Sequence, residues 1–419
     1  MERVTQLAAV DTSGNLSDFQ ARQSVLNQLQ EVLQTSDHWD DFRASLEAKG
    51  LPEARIHQIV DPPVAMDLHL HSTCSDGQVP AHKLAWLARV MGLRTIALTD
   101  HDSASGTREF YGEATLLGLA AIPGVELSTD LVGLEILLYF PDAGRFFDFL
   151  TSPRGSRFSQ YLEAKQEAMH TLTLKVMESV NRWLKRQGTA ADGLITLAEL
   201  DAWYGGQSPY FPGPLSLMGL KRLSQSQREA LGIPDARTFN IKVITPAIKR
   251  MADGPAGRAD LRVATEEVRK QLAAVRRSRA ASVAILSHPK DLMTKAKLSI
   301  GQVAKTIEYL TVKAGLDGVE IGSSRDTASD VRIWMEIVAD INAKIARKEL
   351  AAPGPLLVAS YASDFHLMAP GRIAGEFTLG FGMLDQRSDF RRGNLRPQTT
   401  PEELLEAMRH RASLRTADP

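Results

Sequence analysis

The chain has 419 residues, 43% of them apolar, enough for one large α/β domain with additions or for two domains with separate cores. Lys and Arg number 49 against 50 Asp and Glu, so no global field steers the chain toward long nucleic acid or an anionic membrane, and a nucleic-acid substrate would have to be recognised locally. The single cysteine, Cys74, excludes an internal disulfide and fits a reducing compartment. With neither a signal-peptide core at the N-terminus nor a run of about 20 apolar residues, the expectation is a cytoplasmic protein without a membrane segment.

Residues 1–60 read as a helical extension. Ser17 is placed to cap a helix over 18–33, Ser36 another running through 47, and Pro52 opens a third that ends near 60. This stretch holds no cluster of chemical residues, so it is expected to be a packing appendage or an arm for a protein partner. From residue 64 the pattern changes to short apolar runs separated by helical stretches, the signature of parallel strands joined by crossover helices. Seven such runs occur, at 64–70, 95–99, 120–127, 135–140, 282–287, 318–321 and 356–360, and most lack strict alternation, as suits strands buried on both faces.

Between the fourth and fifth runs, residues 145–280 are mostly helical in pattern and are expected to roof the strands. A long helix is predicted over 158–187, another over 196–203 with a capping box formed by Thr196 and Glu199, a less regular stretch over 229–243, a mobile loop at 254–258 and a helix over 261–279. The run RRSR at 276–279 reads as a solvated helix end, with phosphate or nucleic-acid binding as its alternative.

The most informative segment is DLHLHSTCSDG, residues 67–77. On a strand, His69 and His71 are two apart and face the same side, which makes them either a metal-binding pair or two satisfied core histidines. The placement of the other histidines favours metal. His69, His71, His101, His288 and His366 each fall at the C-terminal end of an apolar run, where parallel α/β sheets and barrels build their active sites. Carboxylates repeat the pattern: Asp76 follows the first run, Asp100 adjoins His101 in LTDHD, Glu126 ends the third run in PGVELS, and Asp364 precedes His366 in SDFH. Imidazoles mixed with carboxylates suit Mn, Zn or Fe, whereas an all-oxygen set would suggest Mg or Ca.

The ordered motifs HxHx(3)SDG, TDHD, PGVE, SHP and SDFH resemble the PHP superfamily, the polymerase and histidinol phosphatase fold, over residues 64–140 and 282–366. The chain looks closest to the stand-alone bacterial members that act on nucleotides or short oligonucleotides. The resemblance implies a distorted (β/α)7 barrel, in two parts at 61–144 and 281–419, interrupted by the insertion at 145–280 and preceded by the extension at 1–60. It also implies two or three divalent ions: one held by His69, His71, Glu126 and Asp364, one by Asp76, His101 and His366, and a further ion by His288 with Glu126 as bridge. Family members often carry another histidine ligand for this last ion on the fourth strand. The matching residue here is Leu137, which leaves two ions as plausible as three, and the family's Arg-Pro-His segment is missing, its nearest text being SPYFPGPLSL at 208–217.

The implied reaction is phosphoester hydrolysis by a metal-activated water, with Glu126, Asp100 and His101 as catalytic residues and Asp67 and Asp100 orienting neighbouring histidines. Lys290, Arg325 and Arg372 are the candidate phosphate contacts by position. Cys74 has no adjacent base and is not read as a nucleophile, and His82 and His170 lie in helical patterns and are read as structural or exposed. The expected activity is that of a phosphomonoesterase on a nucleotide or other small phosphorylated metabolite. The alternatives are a nuclease on short oligonucleotides and a catalytically weak metal-binding module that regulates a partner.

Overall fold

The computed structural model describes residues 16–60, 66–131, 133–204, 210–252, 261–277, 282–323, 326, 328–352, 354, 356–366, 383–384, 405–406 and 408–410. Its strands form one sheet whose spatial order is the chain order: β1 (Met66–Leu70), β2 (Thr95–Leu98), β3 (Ala120–Ser128), β4 (Glu135–Tyr139), β5 (Val283–Leu286), β6 (Gly318–Gly322), β7 (Val358–Tyr361) and β8 (Met383–Leu384). The first seven correspond to the seven apolar runs, and β8, a two-residue strand beside β7, lies outside them.

The expected all-parallel arrangement fails at β4. It pairs antiparallel with both β3 and β5, while β1–β2–β3 and β5–β6–β7 are parallel. The reason is chain length: residues 129–134 are too few for the roughly dozen or more that a parallel crossover requires, so the chain must turn back as a hairpin. The sheet also curls until its first strand meets the chain leaving β7. Leu70 bridges Phe365, and the His71 amide donates to the Phe365 carbonyl at 2.9 Å.

Both sheet faces are buried. Leu68, Ile122, Val125, Leu137, Ile285, Val319 and Val358 join Val268 and Leu272 of α13 (Leu261–Arg277) and Trp334 of α16 (Ala328–Ala346) in the main core. Burying each such side chain stabilises the fold by about 1.5–3 kcal/mol before entropy is counted.

The N-terminal helices α1 (Leu16–Thr35), α2 (Trp39–Ala48) and α3 (Glu53–Val60) dock on α4 (Ala81–Val90) through Leu29, Phe42, Leu46 and Ile56, with Phe42 stacked on Trp86 at 5.6 Å. Two expected caps are corrected. Ser17 lies inside α1, and the Ser36 hydroxyl donates to the Val32 carbonyl at 2.8 Å, closing α1 instead of opening α2, whose N-cap is His38.

Between β4 and β5 run α6 (Ala143–Thr151), α7 (Pro153–Arg186), α8 (Leu197–Trp203), α9 (Pro214–Lys221), α10 (Gln225–Leu231), α11 (Ala236–Phe239), a π-turn segment (Asn240–Ile244), α12 (Thr245–Ala252) and α13. Helix α7 begins before 158 because Ser152 accepts the Gly155 amide and Pro153 suits the first helical position. The Thr196–Glu199 capping box forms as read. Val176, Val180, Leu184, Leu200, Leu215 and Phe239 make a separate core in this region. The remaining helices, α5 (Thr107–Leu116), α14 (Lys290–Thr294), α15 (Ile300–Tyr309) and α16, connect strands of the sheet. Among the described residues no helix is long and apolar enough to cross a membrane. The loop read at 254–258 lies outside the described residues.

The basic run is not a solvated helix end at its first member. Arg276 donates to the carbonyls of Ala314 and Gly315 at 2.6 and 2.8 Å and pairs with buried Asp317 at 3.2 Å, so its charge ties α13 to the chain entering β6. Arg277, the last residue of α13, is exposed as read, and Ser278 and Arg279 lie outside the described residues.

Candidate metal centre

Strand alternation puts His69 and His71 on one face of β1, both fully buried. The segment after β7 runs beside them: Phe365 donates its amide to the His69 carbonyl at 3.2 Å, and Gln78 donates to the His366 carbonyl at 2.8 Å. Asp364 and His366, again two apart, therefore join the β1 pair. Asp364 has φ 54, a left-handed conformation uncommon for a residue with a side chain, and such conformations persist where the surroundings enforce them. On the other side, His101 bridges Glu126, whose amide donates to the Asp100 carbonyl at 3.2 Å.

All eight residues expected to bind metal converge. Glu126 Oε2 lies 3.1 Å from His69 Nε2, 3.3 Å from His71 Nε2 and 3.3 Å from His101 Nδ1, and its Oε1 lies 3.2 Å from His288 Nε2. Asp364 Oδ1 lies 3.5 and 3.4 Å from His69 and His71 Nε2. Asp76 Oδ2 lies 3.2 Å from His366 Nε2 and 3.9 Å from His101 Nε2. Four groups have ligand atoms close enough together to share an ion: His71, Asp76, His101 and His366; His69, Glu126 and His288; His69, His71 and Asp364; Glu135, His288 and Asp291.

At this closeness the histidines and carboxylates shift one another's protonation. Burial opposes a charge on His71, yet Asp364, Glu126 and Asp76 lift it to about 10; His69 is likewise raised against its burial by Glu126, Glu320 and Asp364. Burial pushes Glu126 and Asp76 upward, but the surrounding histidines hold both well below the usual carboxylate range. Buried His71 Nε2, Asp76 Oδ1 and Glu126 Oε1 make no hydrogen bond among the described residues. Buried polar atoms are ordinarily hydrogen-bonded, and imidazoles and carboxylates gathered this closely with several such atoms lacking a hydrogen bond fit divalent cations.

Several supporting roles differ from expectation. Asp100 does not orient His101: its carboxylate accepts from the Ser72 amide and hydroxyl, both at 2.7 Å, and from the Ser75 hydroxyl at 2.5 Å, so it fixes the loop that carries Asp76. Asp67 accepts the amides of His69 and Ser363, tying β1 to the segment after β7. The carboxylate that meets the Nδ1 of His69, at 2.8 Å, is Glu320 of β6. His288 Nδ1 lies 3.3 Å from Asp291 in the same manner. The Lys290 ammonium sits 2.6 Å from Asp330. Arg325 and Arg372 lie outside the described residues.

Leu137 is buried in the core opposite Glu126 in the β3–β4 ladder, as its side chain requires, and Glu135, two residues earlier, comes within 3.4 Å of His288 Nε2. Sequence reasoning missed Glu320, Glu135 and Asp291. A charged residue inside the apolar run GVEIG was the available signal for Glu320.

The insertion reaches the site. The Phe211 ring stacks 6.4 Å from His101, and Gly213 lies against Asp76, where an added Cβ would come 3.9 Å from the Asp76 Cβ. Burial pushes the Cys74 thiol up and Asp100 adds to this, which disfavours a thiolate. His82 pairs with Glu109, and His170 accepts the Tyr210 amide at 3.3 Å, both structural as read.

Residues 67–191 match the family model of the PHP domain. The chain is 37% identical over 101 residues to a 5′-3′ exoribonuclease of Haemophilus influenzae and 35% identical over 114 residues to the 5′-3′ exoribonuclease Rnm of Escherichia coli. These matches cover 24% and 25% of this chain and only 35% and 39% of the relatives. Two solved structures share the fold at a TM-score of 0.50, each covering 82% of this chain and 96% of its own. One is a protein of Bifidobacterium adolescentis assigned as a metal-dependent phosphoesterase, at 19% identity, and the other an amidohydrolase of Chromobacterium violaceum with bound sulfate, at 20%. Over residues 67–191, which hold the first three ordered motifs, the chain therefore matches the PHP domain.

Proposed function

We propose that the chain is a metal-dependent phosphoesterase that hydrolyses a nucleotide, a related small phosphorylated metabolite or the end of a short oligonucleotide. The observation that supports this most is the convergence of five histidines and three carboxylates at one end of the sheet, with His71 Nε2, Asp76 Oδ1 and Glu126 Oε1 buried and without hydrogen bonds among the described residues. His69, His71, Glu126 and Asp364 would hold one ion, Asp76, His101 and His366 a second, and His288 with Glu126 takes part in a third group. When bound, such ions lower the pKa of water toward neutrality and neutralise phosphoryl oxygens.

The chain's own residues supply the frame. Glu126 presents one oxygen to His69, His71 and His101 and the other to His288, so it can keep neighbouring ions in register. Glu320 fixes the ring of His69, and Asp100 fixes the loop of Asp76. Phe211 of the insertion stands beside His101, its ring 6.4 Å away. With the Cys74 thiol pushed up, no covalent step through that side chain is needed.

The nuclease alternative draws support from the local identity to 5′-3′ exoribonucleases. The test is a substrate panel with added Mn²⁺: 3′,5′-bisphosphates, mononucleotides, sugar phosphates and 5′-labelled oligonucleotides. Turnover that disappears in Asp364→Ala is expected. Absence of turnover on the whole panel by protein shown to hold its ions would favour a metal-binding module instead.

A further inference from the structure

We infer that the ion beside His288 is held by an oxygen-rich set, Glu135, Glu126 and His288, and is the exchangeable, hard-cation site of the cluster; this rests on the metal-dependent reading above. His288 Nε2 lies 3.2 Å from Glu126 Oε1 and 3.4 Å from Glu135 Oε2. Glu126 is fully buried, and its Oε1 makes no hydrogen bond among the described residues. The other His288 nitrogen lies 3.3 Å from Asp291, whose carboxylate is also met by Lys295 at 2.7 Å, so Asp291 stands beside the ring as a further carboxylate of this oxygen-rich end.

Topology explains why Glu135 is available. Because β4 runs against β3, it begins at the end of the sheet where β3 finishes. Its register pairs Glu126 with Leu137 and Ser128 with Glu135, and residues two apart share a face, so Glu135 stands on the Glu126 side one step closer to the mouth. Leu137 faces Glu126 but cannot ligate. Two carboxylates, Glu126 and Glu135, meet the one imidazole nitrogen of His288, against three imidazoles and one carboxylate in the group of His71, Asp76, His101 and His366. Carboxylate oxygen favours Mn²⁺ or Mg²⁺, while imidazole favours Zn²⁺, so the two ends of the cluster should differ in both affinity and preference.

The full chain is stripped with chelator, dialysed and titrated with Mn²⁺ and Zn²⁺ by calorimetry, with bound metal counted by elemental analysis. The wild-type chain should show a weaker Mn²⁺-preferring class of site beside a tighter class. Glu135→Gln, isosteric and at a partly exposed position, should weaken the weak class at least tenfold and leave the tight class in place, with a circular dichroism melt confirming that the variant is folded. Glu135→Asp should retain the site with reduced affinity. Unchanged affinity and stoichiometry in Glu135→Gln overturns this assignment alone. A wild-type chain that binds no ion overturns the metal-dependent reading itself.

Discussion

Replacing Arg276 with alanine should destabilise the protein by about 3–5 kcal/mol without touching the metal cluster. The magnitude follows from what the guanidinium does. It pairs at 3.2 Å with Asp317, whose side chain is 0% exposed, and it donates to the Ala314 and Gly315 carbonyls at the C-terminal end of the helical segment that follows α15. Asp317 also accepts the Ala284 amide of β5 at 3.0 Å. Breaking a buried pair by removing one partner typically costs about 3–5 kcal/mol. That is a large part of the roughly 5–15 kcal/mol by which domains are stable. Urea unfolding of Arg276→Ala, Asp317→Asn and the double variant measures the effect, and the double variant should lose less than the two single losses added together, since both singles break the same contact. A loss below about 1 kcal/mol in Arg276→Ala would refute the structural role and reopen phosphate binding as the purpose of the basic run.

Gly77→Ala should damage the Asp76 loop. A Cβ there would come 2.2 Å from the His71 carbonyl oxygen and 2.8 Å from the Ser72 amide nitrogen, backbone atoms that cannot step aside, so overpacking should cost about 1–3 kcal/mol and displace Asp76 from His366. Unchanged unfolding midpoint together with unchanged metal content would contradict this. Glu320→Gln removes the charge from the carboxylate that meets His69 Nδ1 and should weaken Mn²⁺ binding by about 10- to 100-fold while the variant stays folded; calorimetric titration giving the wild-type affinity would dismiss the orienting role. Adding Mn²⁺ to the stripped protein at 100 times the dissociation constant should raise stability by about 2.7 kcal/mol per independent site, and a melting temperature indifferent to metal would count against binding to the folded state.

The positions of the strands and of the eight convergent residues could be read from the chain because both depend on local rules. Apolar runs mark strands buried on two faces, and side chains that end such runs gather at one end of an α/β sheet. What could not be read depends on contacts between distant segments. Asp100 sits beside His101 in the chain, but only the folded loop shows it serving Ser72 and Ser75. Glu320 is 251 residues from His69, and no spacing rule joins them. Lys290 is a candidate phosphate contact by position, and its pairing with Asp330 at 2.6 Å, 40 residues away, follows from no spacing rule. The reversal of β4 is a different case. The short connection at 129–134 already forbade a crossover, and reading it would have moved attention from Leu137 to Glu135, because an antiparallel strand brings its first residues to the mouth.

The most direct test of the account is the metal content of the protein purified without chelator. Elemental analysis should find more than one equivalent of Mn, Zn or Fe per chain, falling in Asp364→Ala, with phosphoester hydrolysis lost on stripping and restored by Mn²⁺. A folded chain that stays metal-free after Mn²⁺ is added would contradict the central claim.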